Sequence, residues 1–122
     1  MIIINLGTND NGAQVDGAPA TDAYIQSEAK AFLELIRQNN PNAEIIWAYG
    51  IMGSNRSSAI KAAIAELNAA GDNKISYFAL DAINSEKEGL GSGNHPTVTT
   101  AVNRSMDLAE YIPPSLPPKF TL

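Results

Sequence analysis

The hydrophobic positions of the chain form two kinds of pattern that alternate along it. Continuous apolar runs typical of strands buried on both faces of a sheet occupy residues 2–6, 44–50 and 75–80. Helically spaced apolar positions predict helices that begin at Thr21, around Ile60 and at Val98. These helices are expected to end at the Asn-Pro turn 39–42, near Gly71 and at the proline-rich segment 113–118.

This order of elements predicts a parallel sheet inside a three-layer α/β/α sandwich, with residues 1–112 as one unit. Residues 113–122 are expected to form an extended, proline-rich C-terminal tail. The first strand is anomalous, because it is apolar on both faces although no preceding element pairs with its free edge. We therefore expect the sheet to lack its N-terminal strands. An upstream segment of a longer protein or a second subunit would complete it.

Composition excludes several classes of protein. The 122 residues (12.9 kDa) suffice for one domain, and the 44% hydrophobic and 17% charged residues indicate a folded one. A net charge of −5 without basic clusters argues against nucleic acid and membrane surfaces as partners. The chain has no cysteine, which excludes disulfides and thiolate catalysis. No segment has the length of a membrane span or the features of a signal peptide, and the compartment stays open because a longer parent protein could be secreted.

Polar clusters with catalytic potential follow the first and third predicted strands. The sequence GTND at residues 7–10 follows the first strand, and GSGNHP at residues 91–96 lies in the loop after the third. Both fall at the carboxyl ends of the strands, where open parallel sheets bind their ligands. Asn9 offers a neutral amide that can donate a hydrogen bond to a developing oxyanion. His95, the only histidine, can take a proton from a serine hydroxyl near neutral pH.

Together these clusters resemble the motifs of the SGNH (GDSL-type) hydrolases. INLGTND at residues 4–10 looks like the third sequence block of that superfamily, and HPT at residues 95–97 is similar to the fifth. The intervening sequence IRQNNPNAEIIWAYGIMG, residues 36–53, resembles the helix, turn and strand of its carbohydrate-esterase branch, especially the family two acetyl esterases. The resemblance extends from residue 2 to about residue 112.

This resemblance implies a flavodoxin-like fold and an ester hydrolase that removes acetyl groups from a saccharide, and no cofactor or metal is expected. Asn9 would be an oxyanion donor, and His95 the general base and later the acid. The nucleophilic serine belongs to a block upstream of GTND and is expected outside this chain. Ser92 stands where the family has an aspartate that orients the histidine, and some family two esterases use a backbone carbonyl for that purpose.

Simpler interpretations of the same residues stay open. His95 could cap a helix or face solvent, and Asn9 with Asp10 could form an Asx-turn. Ser92 is the alternative nucleophile nearest to His95, although serines in glycine-rich loops more often form turn hydrogen bonds. Other polar and aromatic residues are expected to be structural: Ser54, Ser57 and Ser58 as helix caps, and Trp47 and Tyr49 as core.

Two other functions remain as alternatives. The first is a non-catalytic half-domain that packs against a partner or binds a saccharide. The second is a flavodoxin-like nucleotide or phosphate binder, which would need a short glycine-rich loop after the first strand. The loop from Gly7 to Ala20 is long and contains Asp10 and Asp16, whose charges repel phosphate. The sequence therefore favours the esterase.

Overall fold

The computed structural model describes residues 1–112 and contains a three-stranded parallel sheet and a separate two-stranded hairpin. The three strands of the sheet lie in the order β1, β4, β5. The elements in chain order are β1 Ile2–Ile4, β2 Gln14–Val15, β3 Ala18–Pro19, α1 Asp22–Asn39, β4 Ile45–Tyr49, α2 Ser57–Ala69, β5 Ile75–Ala79, α3 Ser85–Glu88 and α4 Val98–Tyr111. The predicted α/β class with a parallel sheet is confirmed.

One face of the sheet packs against α1 and α2. Ile2 and Ile4 of β1 lie opposite Ile45 and Trp47 of β4, so their side chains share this face. Apolar side chains from both helices meet them in one continuous core, because the apolar positions of each helix recur every three or four residues. The buried members of this core are Ile4, Ala29, Leu33, Ile45, Trp47, Tyr49, Ile60, Ala63, Ile64, Leu67 and Ile75.

The other face of the sheet carries α4. Phe78 of β5 stacks against Tyr111 near the end of α4, with the ring centroids 4.7 Å apart. Threonine side chains cap two of the long helices, as Thr21 Oγ1 accepts a hydrogen bond from the Tyr24 N–H and Thr97 Oγ1 accepts one from Thr100 N–H. Helices therefore cover both faces, which is the predicted three-layer arrangement.

Two loops contain structure that the hydrophobic pattern did not predict. The loop after β1 holds a 3-10 turn, Thr8–Gly12, and the hairpin of β2 and β3. Asp16 and Gly17 join these two short strands and both have positive φ, as two-residue hairpin turns of type I′ require. The loop after β5 holds the single-turn helix α3 and a second 3-10 turn, Ser92–Asn94.

The first strand lies at the edge of the sheet, and the described residues fully cover only one of its two faces. It pairs only with β4 among the described residues. Ile4 is buried, whereas Ile3, on the α4 side of the sheet, is 43% exposed. No described element covers the outer part of that face, so apolar surface is exposed there, as expected for a strand without a neighbour at its free edge. The predicted tail, residues 113–122, lies outside the described residues.

Candidate functional site

Asn9 lies in the 3-10 turn Thr8–Gly12, here called the Asn9 turn, directly after β1. The turn begins at Gly7, whose φ of +119° disfavours any residue with a side chain. Gly7 also lies against the core, since a Cβ there would be 3.2 Å from Tyr49 Cε2. Asn9 itself is exposed, and no residue of the turn is buried. The turn thus presents the Asn9 amide to solvent at the carboxyl edge of the sheet.

Two aromatic residues of β4 form hydrogen bonds to the backbone at the start of this turn. Trp47 Nε1 donates a hydrogen bond to the Leu6 carbonyl at 3.0 Å, and the Tyr49 hydroxyl donates to the Gly7 carbonyl at 3.4 Å. Both side chains are buried, as expected for core residues. Their polar atoms add a second role, because they fix the backbone that leads into the turn. Sequence reasoning missed this role.

The Asx-turn interpretation of Asn9 and Asp10 finds no support in the described residues. Neither side chain accepts a hydrogen bond from a nearby backbone N–H there. The bonds that form the turn join backbone atoms: Asp10 N–H donates to the Gly7 carbonyl at 3.1 Å, and Ala13 N–H donates to the Asp10 carbonyl at 3.2 Å. The Asn9 amide therefore does not serve to close the turn.

His95 lies in the loop of residues 80–97, here called the His95 loop, between the 3-10 turn Ser92–Asn94 and α4. Its backbone carbonyl accepts a hydrogen bond from Gly91 N–H at 2.8 Å, and its N–H donates to the Ser92 carbonyl at 3.2 Å. A Cβ at Gly91 would be 3.1 Å from the His95 carbonyl oxygen, so this close approach favours glycine. Thr97, not His95, caps α4.

The imidazole of His95 is exposed and forms no hydrogen bond with another described residue. Neither a carboxylate nor a backbone carbonyl orients the ring within that part of the chain. Ser92 is also exposed, and only its backbone contacts His95 through a hydrogen bond. Any residue type can form this backbone bond, and the Ser92 hydroxyl itself forms no hydrogen bond with another described residue. The structure brings Ser92 and His95 into one turn without pairing their side chains.

A buried ion pair fixes the base of the His95 loop to α4. Arg104 Nη2 lies 3.1 Å from Glu88 Oε1, and the two side chains are only 11% and 6% exposed. Arg104 also donates to the carbonyls of Asp81 and Ala82, at 2.8 and 3.1 Å. A hydrogen bond from the Asn103 amide is the main cause that lowers the pKa of the Glu88 carboxyl. The first part of the His95 loop is therefore held against α4 before the chain reaches His95.

The loop after β4 lies between the Asn9 turn and the His95 loop and contacts both. Ile83 N–H of the His95 loop donates to the Ile51 carbonyl at 3.2 Å. On the other side, Arg56 at the end of this loop donates to the Asp10 carbonyl of the Asn9 turn, from Nη2 at 2.9 Å. The predicted oxyanion donor and base thus occupy neighbouring loop systems on one edge of the sheet.

The serines after β4 serve the local fold. Ser57 is the first residue of α2, and its hydroxyl lies 2.9 Å from the Tyr77 hydroxyl. Ser58 donates to Asp22 Oδ2 at 3.4 Å. The predicted serine caps are not observed, because the capping position of α2 is occupied by Arg56, which forms no side-chain cap. Arg56 instead points toward the Asn9 turn.

A cavity of about 290 Å³ lies beside the Asn9 turn, on the side of α1. It is mostly apolar and opens to solvent. The sequence shows Tyr24 and Phe32 only as part of the apolar stripe of α1, and the structure leaves both partly exposed at the cavity. Its lining includes Leu6, Gly7, Asp10, Tyr24, Ile25, Phe32, Trp47 and Arg56.

The described residues contain no cluster of three histidine, cysteine or acidic side chains that could hold a metal ion. Within residues 1–112, none of the helices has both the length and the apolar character needed to cross a membrane.

Comparison with known proteins places this fold among carbohydrate esterases. No family model and no curated protein sequence matches the chain. Among solved structures, it is similar to the acetyl xylan esterase Est2A from the rumen bacterium Butyrivibrio proteoclasticus, with 32% identity and a TM-score of 0.76 over 89% of the chain. It is also similar to a family two carbohydrate esterase from Clostridium thermocellum, solved in complex with cellohexaose, with 24% identity and a TM-score of 0.79 over 91% of the chain.

The chain spans about a third of each of these proteins, 34% of either length. The matches show an α/β fold with a parallel sheet, consistent with the flavodoxin-like arrangement of SGNH esterases. The structural neighbours of the chain are therefore carbohydrate esterases.

Proposed function

We propose that this chain supplies the oxyanion donor and the general base of an SGNH-type serine esterase that removes acetyl groups from a saccharide. One observation carries the proposal: Asn9 and His95 are both exposed on the carboxyl edge of a parallel sheet whose neighbours are carbohydrate esterases. The loops that carry them both form hydrogen bonds with the loop after β4, through Arg56 and Asp10 on one side and through Ile51 and Ile83 on the other. This is the edge where ligands bind in folds of this class.

In the proposed reaction, His95 takes the proton of a serine hydroxyl as the serine oxygen attacks the acetyl carbonyl carbon. The carbonyl oxygen becomes an oxyanion, to which the Asn9 amide donates a hydrogen bond. The bond to the saccharide oxygen then breaks, and His95 returns its proton to that leaving alcohol. Water, activated by the same imidazole, hydrolyses the acyl-serine and releases acetate.

The nucleophile in this proposal comes from outside residues 1–122. The His95 ring has no hydrogen-bond partner among the described residues. Ser57 and Ser58 are engaged by Tyr77 and Asp22, and the Ser92 side chain is not bonded to the ring. The exposed imidazole is thus free to accept a hydroxyl proton from a serine of another segment or subunit.

The exposed edge of β1 is the proposed place for that segment or subunit. Its outer backbone groups are unpaired among the described residues, and Ile3 exposes apolar surface beside them. Because the Asn9 turn directly follows β1, a strand added there would end close to Asn9. An upstream segment or a second subunit would then complete both the sheet and the site.

The test uses the chain joined to, or mixed with, the segment that completes it, and follows hydrolysis of p-nitrophenyl acetate. His95→Ala should abolish hydrolysis, and Asn9→Ala should lower kcat on the order of 10²-fold. Gln38→Ala, an exposed change in the last turn of α1, which leads to the start of β4 and not to the carboxyl ends of the strands, serves as the control. Wild-type rates for His95→Ala would refute the proposal. Saccharide binding without hydrolysis by the completed protein would support the non-catalytic alternative.

A further inference from the structure

Arg56 reaches from the start of α2 to the backbone of the Asn9 turn. Its Nε and Nη2 atoms donate to the Asp10 carbonyl oxygen at 3.2 and 2.9 Å. The side chain is only 12% exposed, although its charge would favour solvent. A planar guanidinium that donates twice to one oxygen fixes the direction of that carbonyl. Arg56 is therefore a defined anchor for the turn.

The third guanidinium nitrogen of Arg56, Nη1, extends the anchor to α1. Nη1 lies 3.0 Å from Asp22 Oδ1, in the first turn of α1. The Asp22 carboxylate balances the charge of Arg56, and it also accepts a hydrogen bond from Ser58 of α2 at 3.4 Å. One side chain thus ties the Asn9 turn to the starts of both helices that cover this face of the sheet.

The turn depends on such an anchor because packing does not hold it. None of its residues is buried. Trp47 and Tyr49 bond only to the backbone that leads into it. Within the turn itself, among the described residues, a distant side chain donates hydrogen bonds to one backbone carbonyl, that of Asp10. Asp10 directly follows Asn9.

We propose that Arg56 is a positioning residue that aims the Asn9 amide at the oxyanion. The effect of Arg56 on catalysis rests on the proposed function, whereas its role in anchoring the Asn9 turn does not. Oxyanion donors act through preorganised geometry, and a displacement of about 1 Å can cost on the order of 10²-fold in rate. Loss of Arg56 lets the turn move and leaves Asn9 with a broader range of directions.

The structural part is tested on the 122-residue chain by amide hydrogen exchange. In Arg56→Ala, the Asp10 and Ala13 amides, which close the turn, should exchange about tenfold faster relative to the amides of β4. Arg56→Lys, with a single donor group, should give an intermediate rate. Arg37→Ala is the matched control, because Arg37 forms a similar ion pair with Asp72, at 2.7 Å against 3.0 Å for Arg56 and Asp22, and lies away from the turn. Unchanged turn exchange in Arg56→Ala would overturn the anchor.

The catalytic part is tested on the completed esterase with p-nitrophenyl acetate. Arg56→Ala should lower kcat by about tenfold or more with little change in KM, whereas Arg37→Ala should lower stability but not kcat. The decisive comparison is the double variant: in the Asn9→Ala background, Arg56→Ala should have little further effect on kcat, since it acts through Asn9. Additive losses would overturn the positioning role. If Asn9→Ala alone leaves kcat unchanged while turn exchange still depends on Arg56, the proposed function fails and the anchor stands.

Discussion

Replacing Gly7 by alanine perturbs the point where the core meets the Asn9 turn. Gly7 has φ +119° and ψ −21°, and an added Cβ would lie 3.2 Å from Tyr49 Cε2 and 3.4 Å from Ile60 Cδ1. A residue with a side chain in such a conformation costs about 1–3 kcal/mol. Crowding of a packed core costs about 1–3 kcal/mol more. The reduced entropy of the unfolded chain returns about 0.4–1 kcal/mol.

The net expectation is a loss of about 1–5.5 kcal/mol from a stability of about 5–15 kcal/mol. Urea denaturation of the 122-residue chain should show this loss as a midpoint lower by about 0.5–3 M, at a slope of about 2 kcal/mol per M. Gly12→Ala is the control within the same turn, because Gly12 does not have positive φ and a Cβ there would meet nothing within 4 Å. It should change stability by less than about 0.5 kcal/mol. Equal midpoints for the two variants would refute the reasoning.

Two further predictions concern the acid stability and the edge of the fold. Hydrogen bonds from Arg37 are the main reason that the pKa of the Asp72 carboxyl lies below its ordinary value of 3.8. The ion pair therefore stabilises the fold above that pH. This contribution is lost as the pH falls through the lowered pKa. Asp72→Asn should therefore lower stability at pH 7 by about 1 kcal/mol and flatten its decline below about pH 4, and an unchanged acid limb in urea titrations would contradict this. Ile3→Lys should weaken self-association or binding of the completing segment in sedimentation velocity, because it places a charge on the exposed edge strand. A dilute monomer that is indifferent to this lysine would show that the edge needs no partner.

The elements of the sheet and the helices could be predicted because their signals are local. Each buried strand is a continuous apolar run, and α1 has both a capping threonine, Thr21, and an apolar stripe. The observed strands are one or two residues shorter than predicted, because the end positions of the predicted runs, residues 5–6, 44, 50 and 80, lie outside the paired registers of the sheet. The Asp16-Gly17 turn was a readable hairpin signal, but strands of only two residues leave no alternating pattern around it.

The parts of the site that could not be predicted depend on long-range contacts to backbone atoms. Arg56 bonds to the Asp10 carbonyl 46 residues earlier, and Trp47 to the Leu6 carbonyl 41 residues earlier. Any residue type supplies such a carbonyl, so no sequence motif marks the pairing. The buried pair of Glu88 and Arg104 is equally hidden, because charged residues are ordinarily predicted to be exposed. Asn9 and His95 could be singled out as candidates because the sequence shows the chemistry of their side chains, whereas the contacts that hold their loops end on backbone atoms.

The most direct measurement of the central claim is the site at which an active-site serine probe reacts. The completed protein is treated with a fluorophosphonate, which forms a covalent adduct with an activated serine, and the modified peptide is identified by mass spectrometry. The account predicts a single modified serine outside residues 1–122, no modification of the 122-residue chain alone, and loss of labelling in His95→Ala. Labelling of a serine within this chain, Ser92 first among them, would contradict it.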